Sequence, residues 1–480
     1  MKNKLKTILL FLMIFGLMGL TGCFSPVKYG KELDEQAQKV EYTYGDIALS
    51  GQVRDKWWQA YGNSELNGFV EIVLEENPTI LAAYLRMLDS EMALEQVKSN
   101  YYPNLNLTAG VGYGGRIQEN STADPSYSLG LSLSYEVDLW GKVRAQTRVS
   151  ELSYLSAEDS AESALLSLVG NVVTSWFNIL YYRDRKVLSE QLLELSEDYY
   201  QLVQEYYKTG QTNGMDLLEQ RQQIESLRST IAQYDTNIRI ATQSLSILVN
   251  GKTKPAVEGS MPDAVEVGGT VDVQTLLNSR PDIRSARRSA EQADAQVVIA
   301  IADRLPTLRL SASLAFRSSS IVDLFKALIW DLAANFSANL FDGFNKTTAI
   351  KRAKVSYLSQ RISYALVVMQ AVSEVEQALL ELRLREQLLA DAQADLERHK
   401  EILETSRDYF THGLLDYNRV LSALRSMISS SQSELDARHN LLNAQIALFK
   451  AMGGSQWLND ARTRGKDKAK EMLEELDSNG

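Results

Sequence analysis

The chain has 480 residues, 45% of them apolar, with 61 acidic side chains against 50 basic ones and a single cysteine. That length admits one to three domains with a sizeable core. The acidic balance argues against a nucleic-acid partner, and one cysteine excludes disulfides and thiolate metal sites within the chain.

Residues 1–22 read as a secretory signal peptide. Lys2, Lys4 and Lys6 make a basic start, and the apolar run Ile8–Leu20 is too short to span a bilayer. Leu20-Thr21-Gly22-Cys23 then resembles the bacterial lipobox, in which the cysteine is diacylated and becomes the mature N-terminus. An ordinary signal with an incidental cysteine is the alternative. Phe24, where an Asp would favour inner-membrane retention, points to the outer membrane. Without the leader, 47 basic residues face 61 acidic ones, a net charge of −14. No later segment reads as long and apolar enough for a transmembrane helix, so any crossing must use strands.

Residues 23–64 form a lipid-anchored N-terminal extension. Beyond it the chain reads twice through one plan, over 65–255 and 268–457, joined by a linker at 256–267. Asn77-Pro78 matches Arg280-Pro281, Pro103 matches Pro306, and Tyr206, Gly210 and Gly251 match Tyr409, Gly413 and Gly454, all at a shift of 203. Residues 458–480 read as a charged, partly disordered tail.

Each repeat carries two alternating segments, expected as strands at about 104–114 and 127–139, then about 307–317 and 331–341. Leu105, Leu107, Ala109, Val111 and Tyr113 alternate with small or polar residues, as do Tyr127, Leu129, Leu131, Leu133, Tyr135, Val137 and Leu139. A tilted membrane strand has this length, with lipid on one side and water on the other. A half-buried soluble sheet gives the same alternation. Four strands cannot close around a channel, and lipid forbids an open edge, so the wall has to be shared between copies.

After each strand pair comes a long helix. Only Gly170 interrupts the 68 proline-free residues between Gly141 and Gly210, and the 69 between Gly343 and Gly413 contain neither Gly nor Pro. Each rod is roughly 100 Å long at 1.5 Å per residue. Return helices follow at about 214–249 and 416–452. Apolar residues recur every seven positions at Val368, Val375, Leu382, Leu389, Leu396, Leu403 and Phe410. Leu165, Val172 and Ile179 start the same seam in the first repeat, and Leu217, Ile224, Ile231, Ile238 and Leu245 line the first return helix. A straight helix cannot keep a seven-residue seam on one side, so these rods are expected to supercoil as antiparallel coiled coils. Gly210 and Gly413 suit the tight reversals at the tips, where positive φ is required.

Catalysis finds no support. The three histidines, His399, His412 and His439, are scattered, the first and last read as solvated, and no nucleophile-elbow, phosphate-loop or zincin motif is present.

The stretch Asp55-Lys56-Trp57-Trp58-Gln59-Ala60-Tyr61-Gly62-Asn63, the junction Tyr135-Glu136-Val137-Asp138-Leu139-Trp140-Gly141-Lys142 and its counterpart Leu340-Phe341-Asp342-Gly343 resemble motifs of the TolC-like outer-membrane efflux lipoprotein family. The resemblance covers nearly the whole mature chain. It implies a membrane α+β fold in a homotrimer: a twelve-stranded transmembrane β-barrel with four strands per chain, a twelve-helix periplasmic α-barrel, and an equatorial domain. It implies the exit duct of a tripartite efflux pump, not an enzyme, in the outer membrane and extending into the periplasm. Partners would be a periplasmic adaptor, an inner-membrane resistance–nodulation–division pump and outer-membrane lipid. No cofactor is implied beyond the lipid on Cys23. A protein-secretion duct, or a non-channel coiled-coil adaptor or adhesin, is the alternative function.

By resemblance Gly210, Gln211, Thr212, Gly413, Leu414 and Leu415 are tip residues for the adaptor, although turn chemistry alone explains the glycines equally well. Asp216, Asp416, Arg419, Tyr409 and Phe410 are gate candidates. The chain departs from the family here. Arg419 and Ser422 occupy positions that are often acidic, and Phe410 that of a tyrosine, which puts an acidic ring in doubt and suggests an Arg419 ion pair with Asp216 or Asp416.

Overall fold

The structure is a computed structural model that describes residues 48–49, 55–114, 124–210, 212–251, 254–265, 267, 269–270, 273–326, 328–453 and 456–479. The helices are α1 Ser64–Glu76, α2 Pro78–Lys98, α3 Lys142–Lys208, α4 Gly214–Ile247, α5 Val273–Ser279, α6 Pro281–Ala302, α7 Asn345–Thr411, α8 Tyr417–Met452 and α9 Gln456–Asn479. The strands are β1 Ala48–Leu49, β2 Asn104–Gly114, β3 Asp124–Val137, β4 Gly269–Thr270, β5 Thr307–Ser318 and β6 Leu328–Ser337. Helices α3 and α7 have 67 residues each, and their ends lie 203 positions apart. The chain divides into two compact units. One comprises the described residues of Leu88–Ala157 and Ser285–Leu366, the other those of Gln38–Met87, Glu158–Arg284 and Val367–Gly480.

The first unit holds an antiparallel sheet in the order β2-β3-β5-β6. Strand β3 stops short of the limit expected from alternation because Asp138 is needed for capping, and β6 ends at Ser337, before the residues that lead to the cap Asp342. Asp138 accepts hydrogen bonds from the backbone N–H of Val143 (3.0 Å) and Arg144 (3.2 Å). Asp342 accepts from Lys346 N at 3.0 Å. Both carboxylates sit where the first turn of a long helix leaves its N–H groups unpaired. Trp140 Nε1 donates to the Pro306 carbonyl at 2.6 Å, tying the two junctions together. On α7, Val355, Leu358, Ile362 and Leu366 form an exposed apolar stripe.

In the second unit, α1 is amphipathic, burying Leu66, Phe69, Val70, Val73 and Leu74 on one face. Asn77 ends it in extended backbone, as the residue before a proline prefers, and its side chain accepts from the N–H groups of Thr79 and Ile80 at the start of α2. The core is aromatic. Trp57 stacks on Phe449 at 5.0 Å, Trp58 meets Trp457 edge-on at 5.0 Å, and Tyr61 meets Phe177 at 4.9 Å. The Trp57-Trp58 pair of the Asp55–Asn63 stretch is thus a packing device. Asp55 reinforces it by accepting from Trp457 N at 3.0 Å.

Two expectations are corrected here. The tail is not disordered along its described length: α9 is helical, and Trp457, Leu458, Ala461 and Ala469 are buried along one stripe. Its charges occupy the remaining faces, so composition alone hid the helix. Likewise α3 does contain a stretch long and apolar enough to cross a membrane by composition, but 61% of that stretch is buried inside the protein. Leu165, Val169, Val172, Val173, Trp176, Phe177 and Leu180 supply this core. Packing explains its apolarity.

Every position of the α7 seam, from Val368 through Val375, Leu382, Leu389, Leu396 and Leu403 to Phe410, is buried or half-buried. In α3 the same holds from Leu165 to Tyr200, with Lys186 placed by an ion pair to Asp235 at 2.8 Å. Tyr207, at the end of that seam, is exposed.

Candidate functional site

The sheet of the first unit is built so that one face is continuous and apolar. Strand register places Leu105, Leu133, Ala312 and Leu332 in one row, Leu107, Leu131, Leu314 and Trp330 in the next, and Ala109, Leu129, Phe316 and Leu328 above them. The intervening rows carry Asn106, Ser132, Ser313 and Asp331, and Asn104, Ser134, Ser311 and Ala333. Slipping one strand by a single residue would mix the faces, so alternation fixes register. The apolar face is bare: Leu107 is 72% and Val111 79% exposed. An exposed apolar area this continuous is not a water-facing surface. On the polar face Arg309 pairs with Glu136 at 3.2 Å, whereas Arg317 and Asp331 make no ion pair among the described residues. Among the described residues strands β2 and β6 each have one neighbour, so each presents an unpaired backbone edge.

In the second unit the two helix reversals can be described in detail. Gly210 and Gly413 adopt φ of +75° and +72°, which side-chain-bearing residues reach only with strain. Leu414 N reaches back to the Tyr409 carbonyl at 2.9 Å, closing the end of α7 as a Schellman-type turn. Leu414 is exposed and Leu415 half-buried. Thr212 is half-buried and its hydroxyl donates to Asp216. Gln211 and Cys23 lie outside the described residues.

The gate candidates separate by what they touch. Asp216 is buried and forms a capping box with Asn213 at the start of α4. Asp416 is the N-cap of α8, accepting from Arg419 N at 3.1 Å. Phe410 packs inward between Tyr206 (4.7 Å) and Tyr417 (5.7 Å). Tyr409 and Arg419 are exposed, as is Ser422. The Arg419 guanidinium makes no ion pair with Asp216 or Asp416 within the described residues of one chain, because both carboxylates are engaged as caps.

Below the reversals lies a polar line that periodicity does not reveal. Tyr417 Oη donates to Gln220 Oε1 at 3.2 Å, and Gln220 Nε2 donates to the Ser196 carbonyl at 2.7 Å, all buried. Burial raises the Tyr417 pKa above the ordinary phenol value. The hydroxyl therefore stays protonated and able to donate.

Further along the rods Arg185 lies over the rings of Tyr181 (5.8 Å) and Tyr234 (5.6 Å). Tyr181 donates to Asp436 at 2.6 Å and stacks on His439 at 4.3 Å. His439 is half-buried, and its Nε2 is hydrogen-bonded to Asn178 Oδ1 at 2.7 Å. It is not solvated as expected, and burial lowers its pKa, with Asp436 opposing. The Tyr181–Arg185 run held the only signal for this cluster, and the heptad pattern masks it. Among the described residues no group of His, Cys, Asp and Glu is arranged to hold a metal ion.

The family model described as outer membrane efflux protein matches residues 69–251 and 273–454. The chain is 25% identical over 404 residues to the probable outer membrane lipoprotein SilC of Salmonella typhimurium, covering 83% of this chain and 87% of that one. It is 25% identical over 446 residues to the cation efflux system protein CusC of Escherichia coli K12, covering 91% and 97%. Its fold is similar to the crystal structure of the Campylobacter jejuni CmeC outer membrane channel, with a TM-score of 0.80, 20% identity, and 90% and 94% coverage.

Proposed function

Because the chain belongs to the outer membrane efflux protein family, we propose that three copies form the outer-membrane duct of a tripartite efflux pump. The duct lets small molecules out passively and carries no catalytic centre. The observation that supports this best is the sheet: one bare apolar face, one polar face, and two unpaired rims. Lipid stabilises the first, water the second, and only further strands can satisfy the rims. About eight strands merely fill a barrel with side chains, so a four-stranded sheet encloses no lumen by itself. Three copies would supply twelve strands. The exposed stripe of Val355, Leu358, Ile362 and Leu366 on α7 also favours self-association.

In this reading α3, α4, α7 and α8 of each copy form a periplasmic tunnel, and Cys23 carries the lipid anchor. The reversals at Gly210–Thr212 and Gly413–Leu415 meet a periplasmic adaptor, which hands over cargo from an inner-membrane pump of the resistance–nodulation–division class. The pump sets cargo. Cation efflux, in the name of CusC, belongs to that relative. Tyr409 and Arg419 are the gate residues this reading retains, since both are exposed while Phe410 packs inward.

Purified protein in planar bilayers tests the proposal. Trimers with discrete conductance steps are expected, and Arg419→Ala should raise the closed-state leak. A monomer without conductance sinks the duct; an unchanged leak removes Arg419 from the gate.

A further inference from the structure

The connection between β5 and β6 is not a polar loop. It folds as a 3-10 helix, Ile321–Lys326, of sequence Ile-Val-Asp-Leu-Phe-Lys. Its shape is set locally: Ser320 N donates to Ser318 Oγ at 3.1 Å, and Asp323 N to the Ser320 carbonyl at 3.2 Å. Ile321, Val322 and Phe325 are 63%, 83% and 66% exposed. Phe325 packs edge-on against Phe316 with ring centroids 5.3 Å apart. That contact decides the side of the sheet. Phe316 stands in the apolar row with Ala109, Leu129 and Leu328, whereas its neighbour Arg317 faces the polar side. The turn therefore lies over the apolar face.

We propose that this turn is a lipid-inserting foot, an inference that rests on the barrel reading above. Ile321, Val322 and Phe325 extend the lipid-facing wall into the acyl boundary of the outer leaflet, and the Asp323–Lys326 ion pair lies at headgroup level. Three large apolar side chains with a charged rim are the composition of an interfacial membrane contact. Continuity with the wall names lipid as the occupant. The contact is to β5, an inner strand, and not to the β6 rim where a second copy would pair.

The test uses full-length protein in phosphatidylcholine–phosphatidylglycerol vesicles, nitroxide-labelled singly at Val322→Cys, Trp330→Cys or Lys208→Cys, with the unsubstituted protein as label control. Collision with oxygen reports lipid, and collision with an aqueous nickel chelate reports water. At Val322 nickel collision should fall about tenfold below that at Lys208, with oxygen collision matching Trp330. A Val322 label open to nickel while Trp330 remains in lipid overturns the foot and leaves the barrel standing. Labels open to nickel at both positions overturn the barrel and the foot together. A Val322 label shielded from both quenchers means a neighbouring copy covers the turn, and that also overturns the foot.

Discussion

Arg280 and Asn77 hold equivalent carbonyls: Arg280 Nη1 donates to Ala451 O at 2.9 Å, and Asn77 Nδ2 donates to Leu248 O at 2.9 Å. Both donors and both acceptors are 203 positions apart, so each X-Pro start is tied to the end of a return helix. The later copy is elaborated, since Arg280 also pairs with Asp282 and Glu374 at 2.7 Å each. Arg280→Ala strands the Ala451 carbonyl and removes ion pairs to two half-exposed carboxylates, and should cost about 2–3 kcal/mol, against about 1–2 kcal/mol for Asn77→Ala. Thermal loss of helical circular dichroism in detergent measures both. Equal small effects would show that the ion pairs contribute nothing.

Gly465 on α9 lies against the ring of Tyr84, and a Cβ there would collide with it. The Tyr84 hydroxyl donates to the Ala461 carbonyl at 3.1 Å one turn earlier. Gly465→Ala should therefore lift α9 from α2 at a cost of about 1–3 kcal/mol, although alanine favours helix in isolation. Limited proteolysis should release a C-terminal fragment earlier than in the parent. Unchanged cleavage would contradict the packing account.

Asp294 on α6 has its pKa raised from 3.8 to about 6, by burial first and by Glu291 second. A carboxyl with a raised folded pKa disfavours folding once ionised, so its penalty is full above about 6 and fades as pH falls towards 3.8. Asp294→Asn should stabilise the protein by about 1–2 kcal/mol at pH near 7.5, after allowance for screening. The gain should vanish near pH 4 in melting curves taken across that range. A gain independent of pH would place its origin elsewhere.

Among the described residues Arg317 is the cation on the polar face of β5 that makes no ion pair, whereas Arg309 is held by Glu136 at 3.2 Å. If that face lines the lumen, Arg317→Gln should lower the anion-to-cation permeability ratio roughly twofold. Arg309→Gln together with Glu136→Gln should leave it nearly unchanged. Reversal potentials under a salt gradient separate the two, and identical shifts would argue against a lumenal Arg317.

The strands and rods were legible because their signals are local. Period-two alternation around Leu129 and Leu131 and the absence of glycine and proline after Gly343 need no knowledge of partners. What escaped depends on contacts between distant residues. Trp58 finds Trp457 nearly 400 positions away, and no local pattern announces that a charged tail will be covered. His439 was misplaced for the same reason, since its burial comes from Tyr181 and Asn178 on another helix. At the reversals, the roles of Asp216 and Asp416 as caps compete with any part in gating, and sequence cannot rank the two.

The bare rims of Asn104–Gly114 and Leu328–Ser337 also carry a genetic consequence. If each rim is completed only by another copy, a chain damaged there is not merely lost. Co-expressed with the intact chain, it would enter mixed rings and break them, so the defect would behave as dominant and would deepen with gene dosage.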